Sequence, residues 1–197
     1  MIKIIHRVNT IDQLGTCSPE FGVEMDLHGY GDRLVVHHDA MCDGPDLADW
    51  LSAFRHRFVI FNIKEEGIEN AVRIAAAKVG LENYFFLDLS FPALIKMVRK
   101  GERRVAVRIS EYEPIAGALT LANQAEWVWI DIFKGWFLSP MDYLSLRGAG
   151  FKLCLVSPEL HGDGRGEKEI IEIRKIMVAN GFKIDAVCTK LPDLWEV

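Results

Sequence analysis

Short β-rich runs alternate with longer amphipathic stretches along this chain, and the number of those runs constrains the fold more than any other feature. The strand candidates are Ile2 to His6, Gly22 to Leu27, Phe58 to Lys64, Tyr84 to Leu89, Val105 to Ile109, Trp127 to Phe133, Phe151 to Val156 and Ala186 to Thr189. Eight is the number that closes a (β/α)8 barrel. Between them, Glu66 to Val79 carries Ile68, Ala71, Val72, Ala75, Ala76 and Val79 at helical spacing and stops at Gly80. Pro92 starts a second helix that ends before Gly101, Pro140 to Arg147 runs to Gly148, and Lys168 to Ala179 ends near Asn180-Gly181.

Repeating strand-then-helix units predict an α/β protein with a parallel sheet covered by helices. An open doubly wound sheet is the rival, but no GxGxxG follows the first strand to support a dinucleotide-binding version. The extra run Leu34 to His37 reads as a hairpin excursion beside the second strand, because Gly29-Tyr30-Gly31-Asp32 is a strong turn signal. The expected architecture is one domain, residues 1–197, forming a small (β/α)8 TIM barrel. Helices in its first half should be shortened or missing, since Asn9 to Gly15 is the only helical turn before strand two.

Half of the residues are hydrophobic (50%) and 26% are charged, which excludes a disordered chain. A net charge of -5 gives no general attraction to nucleic acid or to an anionic membrane, although a locally basic pocket for a phosphorylated substrate is compatible with it. Cys17, Cys42, Cys154 and Cys188 form no close pair of the zinc-knuckle or redox kind. The start MIKIIHR is too quickly charged for a secretory signal, and no apolar stretch reaches membrane-spanning length. These features predict a soluble, cytoplasmic protein with a small-molecule partner, and leave its oligomeric state open.

Polar residues punctuate the ends of the early apolar runs: His6-Arg7, Glu24-Met25-Asp26 and His37-His38-Asp39. Charge at the carboxyl end of a strand marks a site rather than a core. Glu24 and Asp26 are two apart, so on a strand they share a face. Two carboxylates held close repel one another unless a proton or a metal compensates them, which suits a hard cation. Alternatively one faces solvent, or both pair with Arg7 or Arg33.

The stretches HRVNTIDQL, GVEMDLHGYGDRLVVHHD, FNIK, LSF and CTKLPD, taken in order from His6 to Asp193, resemble the glycerophosphodiester phosphodiesterase family, which belongs to the phospholipase C-like phosphodiesterase barrels. The resemblance implies that Glu24 and Asp26 are the family's Glu-x-Asp metal pair. It also implies that Val35-Val36-His37-His38-Asp39 is its Val-Val-x-His-Asp motif, making His6 and His38 the two catalytic histidines and His37 the variable position.

The chain departs from the family at three places. His6-Arg7-Val8-Asn9-Thr10 lacks the glycine of His-Arg-Gly and the glutamate of the following Glu-Asn-Thr. Asn62-Ile63-Lys64 replaces Glu-Ile-Lys, so the third carboxylate ligand becomes an amide, which offers a carbonyl oxygen but no charge. Asp88 is a possible replacement, because strand parity with Ser90 of the LSF motif would aim it into the same cavity; it could equally cap a turn before Pro92. Thr189-Lys190-Leu191-Pro192 replaces Thr-Asp-x-Pro, exchanging an acid for a base at the rim.

The resulting expectation is a metal-dependent phosphodiester hydrolase acting on a glycerophosphodiester or related small phosphodiester. Glu24, Asp26 and Asn62 or Asp88 would hold Mg²⁺ or Ca²⁺, Arg7 and Lys64 would contact phosphate oxygens, and His6 and His38 would divide proton transfer. The alternative is a barrel that binds phosphate or sugar phosphate without turnover. Arg108, Asp131, Lys134 and Ser157 are weaker candidates near later strand ends, where Arg108 could instead pair with Glu111 and Asp131 with Lys134. Trp136 and Phe137 are either lid or ordinary packing, and Glu159 to Glu169 reads as a loop whose His161 is isolated.

Overall fold

The computed structural model describes residues 1–196, which form two compact units, Ile4–Val105 and Ala106–Val197, the latter together with Met1–Lys3. In the first unit, Ile4 and Ile5 of β1 (Ile2–Ile5) pair in parallel with β2 (Gly22–Tyr30). The excursion strand β3 (Arg33–Val36) folds back antiparallel on β2, turning at Gly31, whose φ of +63° is one that a residue with a side chain rarely adopts. Parallel pairing then continues from β2 to β4 (Phe58–Ile63) and from β4 to β5 (Tyr84–Leu87), and Phe86 bridges onward to Val105. Helices α1 (Ile11–Thr16), α2 (Leu47–Ala53), α3 (Glu69–Lys78) and α4 (Phe91–Arg99) intervene.

The second unit strings β6 (Ala106–Ile109), β7 (Trp127–Ile130), β8 (Lys152–Val156) and β9 (Ala186–Thr189) together in parallel and in sequence order. Its helices are α5 (Ile115–Leu119), α6 (Pro140–Gly148) and α7 (Glu167–Asn180). Within this unit the N–H of Ile2 donates to the Asp185 carbonyl at 2.7 Å. Parallel strands joined by helical segments, repeated through both units, are those of the (β/α)8 TIM-barrel class.

The expected short helices are present: α1 has 6 residues and α2 has 7. The sequence reading did not anticipate α2, although Leu47, Trp50 and Leu51 have helical spacing and are the residues it buries. Nor did it anticipate that, among the described residues, the shortest α-helix lies in the second half. There α5, of 5 residues, follows Pro114 and contains Gly117, which costs about 1 kcal/mol relative to alanine in a helix.

The register of β2 against β4 positions the polar cluster. Glu24 lies beside Ile60 and Asp26 beside Asn62. Alternation along β2 puts Glu24, Asp26 and His28 on one face and Val23, Met25 and Leu27 on the other, and all six are buried. Neighbouring Phe61, Phe85 and Phe86 are fully buried, each contributing about 1.5–3 kcal/mol, which holds the strands that carry the polar row.

Candidate active site

His6 and Arg7 follow directly on β1. Arg7 adopts a left-handed φ of 59°, a strained conformation for a residue with a side chain, costing about 1 kcal/mol or more. The family motif has glycine one residue later, whereas here that position is Val8, which is buried. The turn at Arg7 brings its backbone N–H to Glu24 Oε2 at 2.7 Å, and His6 Nε2 lies 3.8 Å from the same oxygen. Glu24 Oε1 accepts from Asn62 Nδ2 at 2.8 Å.

Asp26 is held differently. Asn9 forms a reciprocal pair with it: Nδ2 donates to Asp26 Oδ2 and the Asp26 N–H donates to Asn9 Oδ1, both at 2.9 Å. Lys64 Nζ stands 3.2 Å from Asp26 Oδ1, and Arg7 Nε 3.8 Å from Oδ2. Asn9 was not singled out from sequence, but a signal was present. Thr10 and Gln13 form the capping box of α1, and the box fixes the residue immediately before it.

Asp88 joins the cluster 3.6 Å from Lys64 Nζ. Strand parity is not the cause, because β5 ends at Leu87 and Asp88 turns out of the strand with φ 58°. The cap of α4 is Ser90, whose hydroxyl accepts from the Ala93 N–H and donates to Glu66.

His38 lies between two charged groups. Its Nδ1 is 2.7 Å from Asp39 Oδ1 and its Nε2 is 2.6 Å from Arg7 Nη2. Since the guanidinium can only donate, Nε2 accepts and Nδ1 carries the proton that goes to Asp39. The bond to His38 holds the Asp39 carboxyl below its usual range. Asp39 is a second contributor that the sequence reading left without a role. His37 turns away and packs edge-on against His28, with ring centroids 6.3 Å apart.

The electrostatics follow from burial. Glu24 is pushed up to about 7, first by loss of water and then by the neighbouring Asp26, against the opposing pull of Asn62, the Arg7 N–H and Lys64. Among the described residues, no group of three or more His, Cys, Asp and Glu side chains could hold a metal ion. The oxygen donors gathered here are two carboxylates, Glu24 and Asp26, and the amide of Asn62. Asn62 Oδ1 is buried and accepts no hydrogen bond, so an oxygen ligand is available beside Glu24 and Asp26.

The weaker candidates of the second unit belong to other contacts. Arg108 pairs with Asp131 at 3.2 Å, and His161 Nε2 also lies 3.2 Å from Asp131. Glu111 instead accepts the backbone N–H groups of Phe133, Lys134 and Gly135. Ser157 is fully buried between Trp195 and Glu159, and Glu159 also accepts from Thr189 and from the N–H of Lys190. Lys134 sits 5.0 Å from the centre of the Tyr112 ring. Trp136 is packing rather than lid: its ring stacks on Phe182 at 5.6 Å and its N–H donates to the Leu138 carbonyl.

No protein-family model and no curated protein matches the chain. Solved structures do match its fold. A glycerophosphodiester phosphodiesterase from Agrobacterium tumefaciens is 16% identical with a TM-score of 0.66, the match covering 99% of this chain and 97% of that one. A putative glycerophosphoryl diester phosphodiesterase from the same organism is 14% identical with a TM-score of 0.68, covering 98% and 95%. A mutant tryptophan synthase alpha-subunit from Pyrococcus furiosus is 13% identical with a TM-score of 0.53, covering 98% and 88%. A fold shared with proteins of such different names fixes the architecture, and function rests on the side chains.

Proposed function

We propose that this chain is a phosphodiester hydrolase acting on small phosphodiesters of the glycerophosphodiester type. The observation that carries the reading is the cluster in the first unit, where Arg7 and Lys64 share contacts with Glu24, Asp26 and His38. The motif order read from the sequence and the fold likeness to two structures named as such enzymes support it. A phosphodiester gains negative charge on its non-bridging oxygens as it is attacked, so two cations beside a base are the required equipment.

Glu24, Asp26 and the carbonyl oxygen of Asn62 would hold Mg²⁺ or Ca²⁺, and when bound the cation supplies charge neutralisation at phosphate oxygens. Arg7 and Lys64 bind the phosphate. In drawing Arg7 onto itself, the phosphate releases His38 Nε2, which Arg7 otherwise holds at 2.6 Å. His38, oriented by Asp39, then accepts a proton from the attacking hydroxyl or water, and His6 donates one to the leaving alcohol. The reverse assignment of the two histidines satisfies the same geometry. Attack by a neighbouring hydroxyl of the glycerol would pass through a cyclic phosphate; attack by water would not.

A second reading has its own observation in favour. Arg7 holds Nε2 of His38, the atom a base would need, and Arg7 and Lys64 would still bind a phosphate without turning it over. A product screen across glycerophosphodiesters, nucleotide-linked sugars and cyclic phosphodiesters, supplemented with Mg²⁺ or Ca²⁺ and followed by phosphorus NMR, separates the two. The hydrolase reading expects a phosphomonoester signal. Saturable ligand binding with no product at high protein concentration supports the second reading and overturns the first.

A further inference from the structure

Away from the strand-end cluster, Arg73 of α3, Lys100 after α4, and Arg103 and Arg104 before Val105 line one groove of about 390 Å³, in which Glu102 is the only acid. Four bases against one acid stand out on a chain whose net charge is -5. Arg104 uses Glu102 fully, donating from Nε and Nη2 at 2.8 Å each, and its guanidinium lies 4.2 Å from the centre of the Tyr84 ring. That pair is a rigid wall of little net charge. Arg73 donates to the neutral Asn70 Oδ1 at 3.0 Å and adds to the positive field that Glu102 already feels from Arg104. Among the described residues, no carboxylate lies within ion-pair distance of Arg73, Lys100 or Arg103.

Arg73, Lys100 and Arg103 add three cations to a concave surface whose one lining acid is already bound by Arg104, and an anion would relieve their mutual repulsion. The dipole of α4 favours a cation at its C-cap, Lys100, but Arg73 belongs to α3 and Arg103 lies three residues beyond that cap. The carbonyls of Met97 and Val98 are already satisfied by the N–H groups of Lys100, Gly101 and Glu102, and Lys96 of the last turn goes to Glu66. We infer that this groove is an anion site separate from the strand-end cluster, and that its ligand carries two or three linked phosphates. Three positive charges match such a group better than a single carboxylate, arginine forks fit phosphate oxygens, and the volume is that of a small-ligand pocket. Free pyrophosphate or triphosphate and a nucleoside di- or triphosphate share that chemistry.

The full chain, ¹⁵N-labelled and in EDTA, is titrated with sodium pyrophosphate, sodium tripolyphosphate or ADP at low salt while backbone amide shifts are recorded. Saturable movement of the Gly101 and Arg104 amides is expected, weakened at least tenfold in the double variant K100Q/R103Q and retained in K64Q. Lys100 and Arg103 are exposed, so their replacement leaves the fold in place. Binding of ADP alongside the inorganic anions supports the site and identifies a nucleotide as an accepted source; binding of the inorganic anions alone supports it with a free polyphosphate. Shifts confined to the surroundings of Arg7 and Lys64, or binding to K100Q/R103Q equal to that of the unmodified protein, overturn it. Neither outcome depends on whether the strand-end cluster hydrolyses phosphodiesters.

Discussion

Glu24 and Asp26 on β2 and Asp131 after β7 are all buried carboxylates, yet their surroundings differ. Asp131 is one acid against Arg108 and His161, each 3.2 Å away. Glu24 and Asp26 are two acids beside Lys64 and Arg7, and Glu24 is pushed up to about 7 by burial first and by Asp26 second. A buried acid paired with its own arginine, as Asp131 is with Arg108, joins the strand ends it lies between. A pair short of cations stores unfavourable energy, and such storage is the mark of a site that expects a ligand.

The largest effects should come from the histidines. Replacing His38 or His6 by alanine is expected to slow phosphodiester cleavage by about 10²–10⁴-fold, the usual range for loss of a general acid or base, as read by initial rates on the best substrate of the product screen. Wild-type rates in both variants would remove the first unit's claim to the chemistry.

A smaller effect attaches to the amide ligand. Asn62→Asp adds the charge that the β2 pair lacks, so calorimetric titration should give tighter Mg²⁺ or Ca²⁺ binding, by about tenfold for each 1.4 kcal/mol gained. Asp88→Asn should weaken it less than Asp26→Asn does, because the Asp88 carboxylate faces Lys64 at 3.6 Å rather than the amide. Equal losses in the two asparagine variants would return Asp88 to the ligand set.

The smallest effect is in stability against pH. With its pKa raised from an ordinary 4.5 to about 7, Glu24 keeps in the folded, cation-free protein a proton that the unfolded chain has already lost. Its contribution is therefore complete below pH 4.5 and declines as the pH rises towards about 7, and Glu24→Gln should flatten that decline in urea midpoints measured across the window. An unchanged slope in the variant would assign the decline to other groups.

Much of this contrast was legible in the sequence. The β2 pair, the strand-end histidines and the eight runs are local patterns, and alternation along one strand is enough to put Glu24 and Asp26 on one face. Partners supplied by a different segment were not legible. Asn9 reaches Asp26 because a capping box fixes the chain just after it, and Asp39 becomes an orienting group only once His38 has turned towards Arg7. Asp88 shows why parity fails at a strand end, since a single residue with φ 58° ends the alternation on which the reading relied. His161, read as isolated, meets Asp131 through a contact between residues thirty positions apart, which no local pattern encodes.

The most direct test sets the two kinds of acid against each other by measuring thermal midpoint and phosphodiester turnover together in Glu24→Gln and Asp131→Asn. Removing one of two crowded charges should leave the midpoint of the first variant unchanged or higher while abolishing cleavage. Removing the acid from Arg108 and His161 should lower the midpoint of the second. A Glu24→Gln protein that cleaves at the wild-type rate, or that is destabilised as much as Asp131→Asn, would contradict the account.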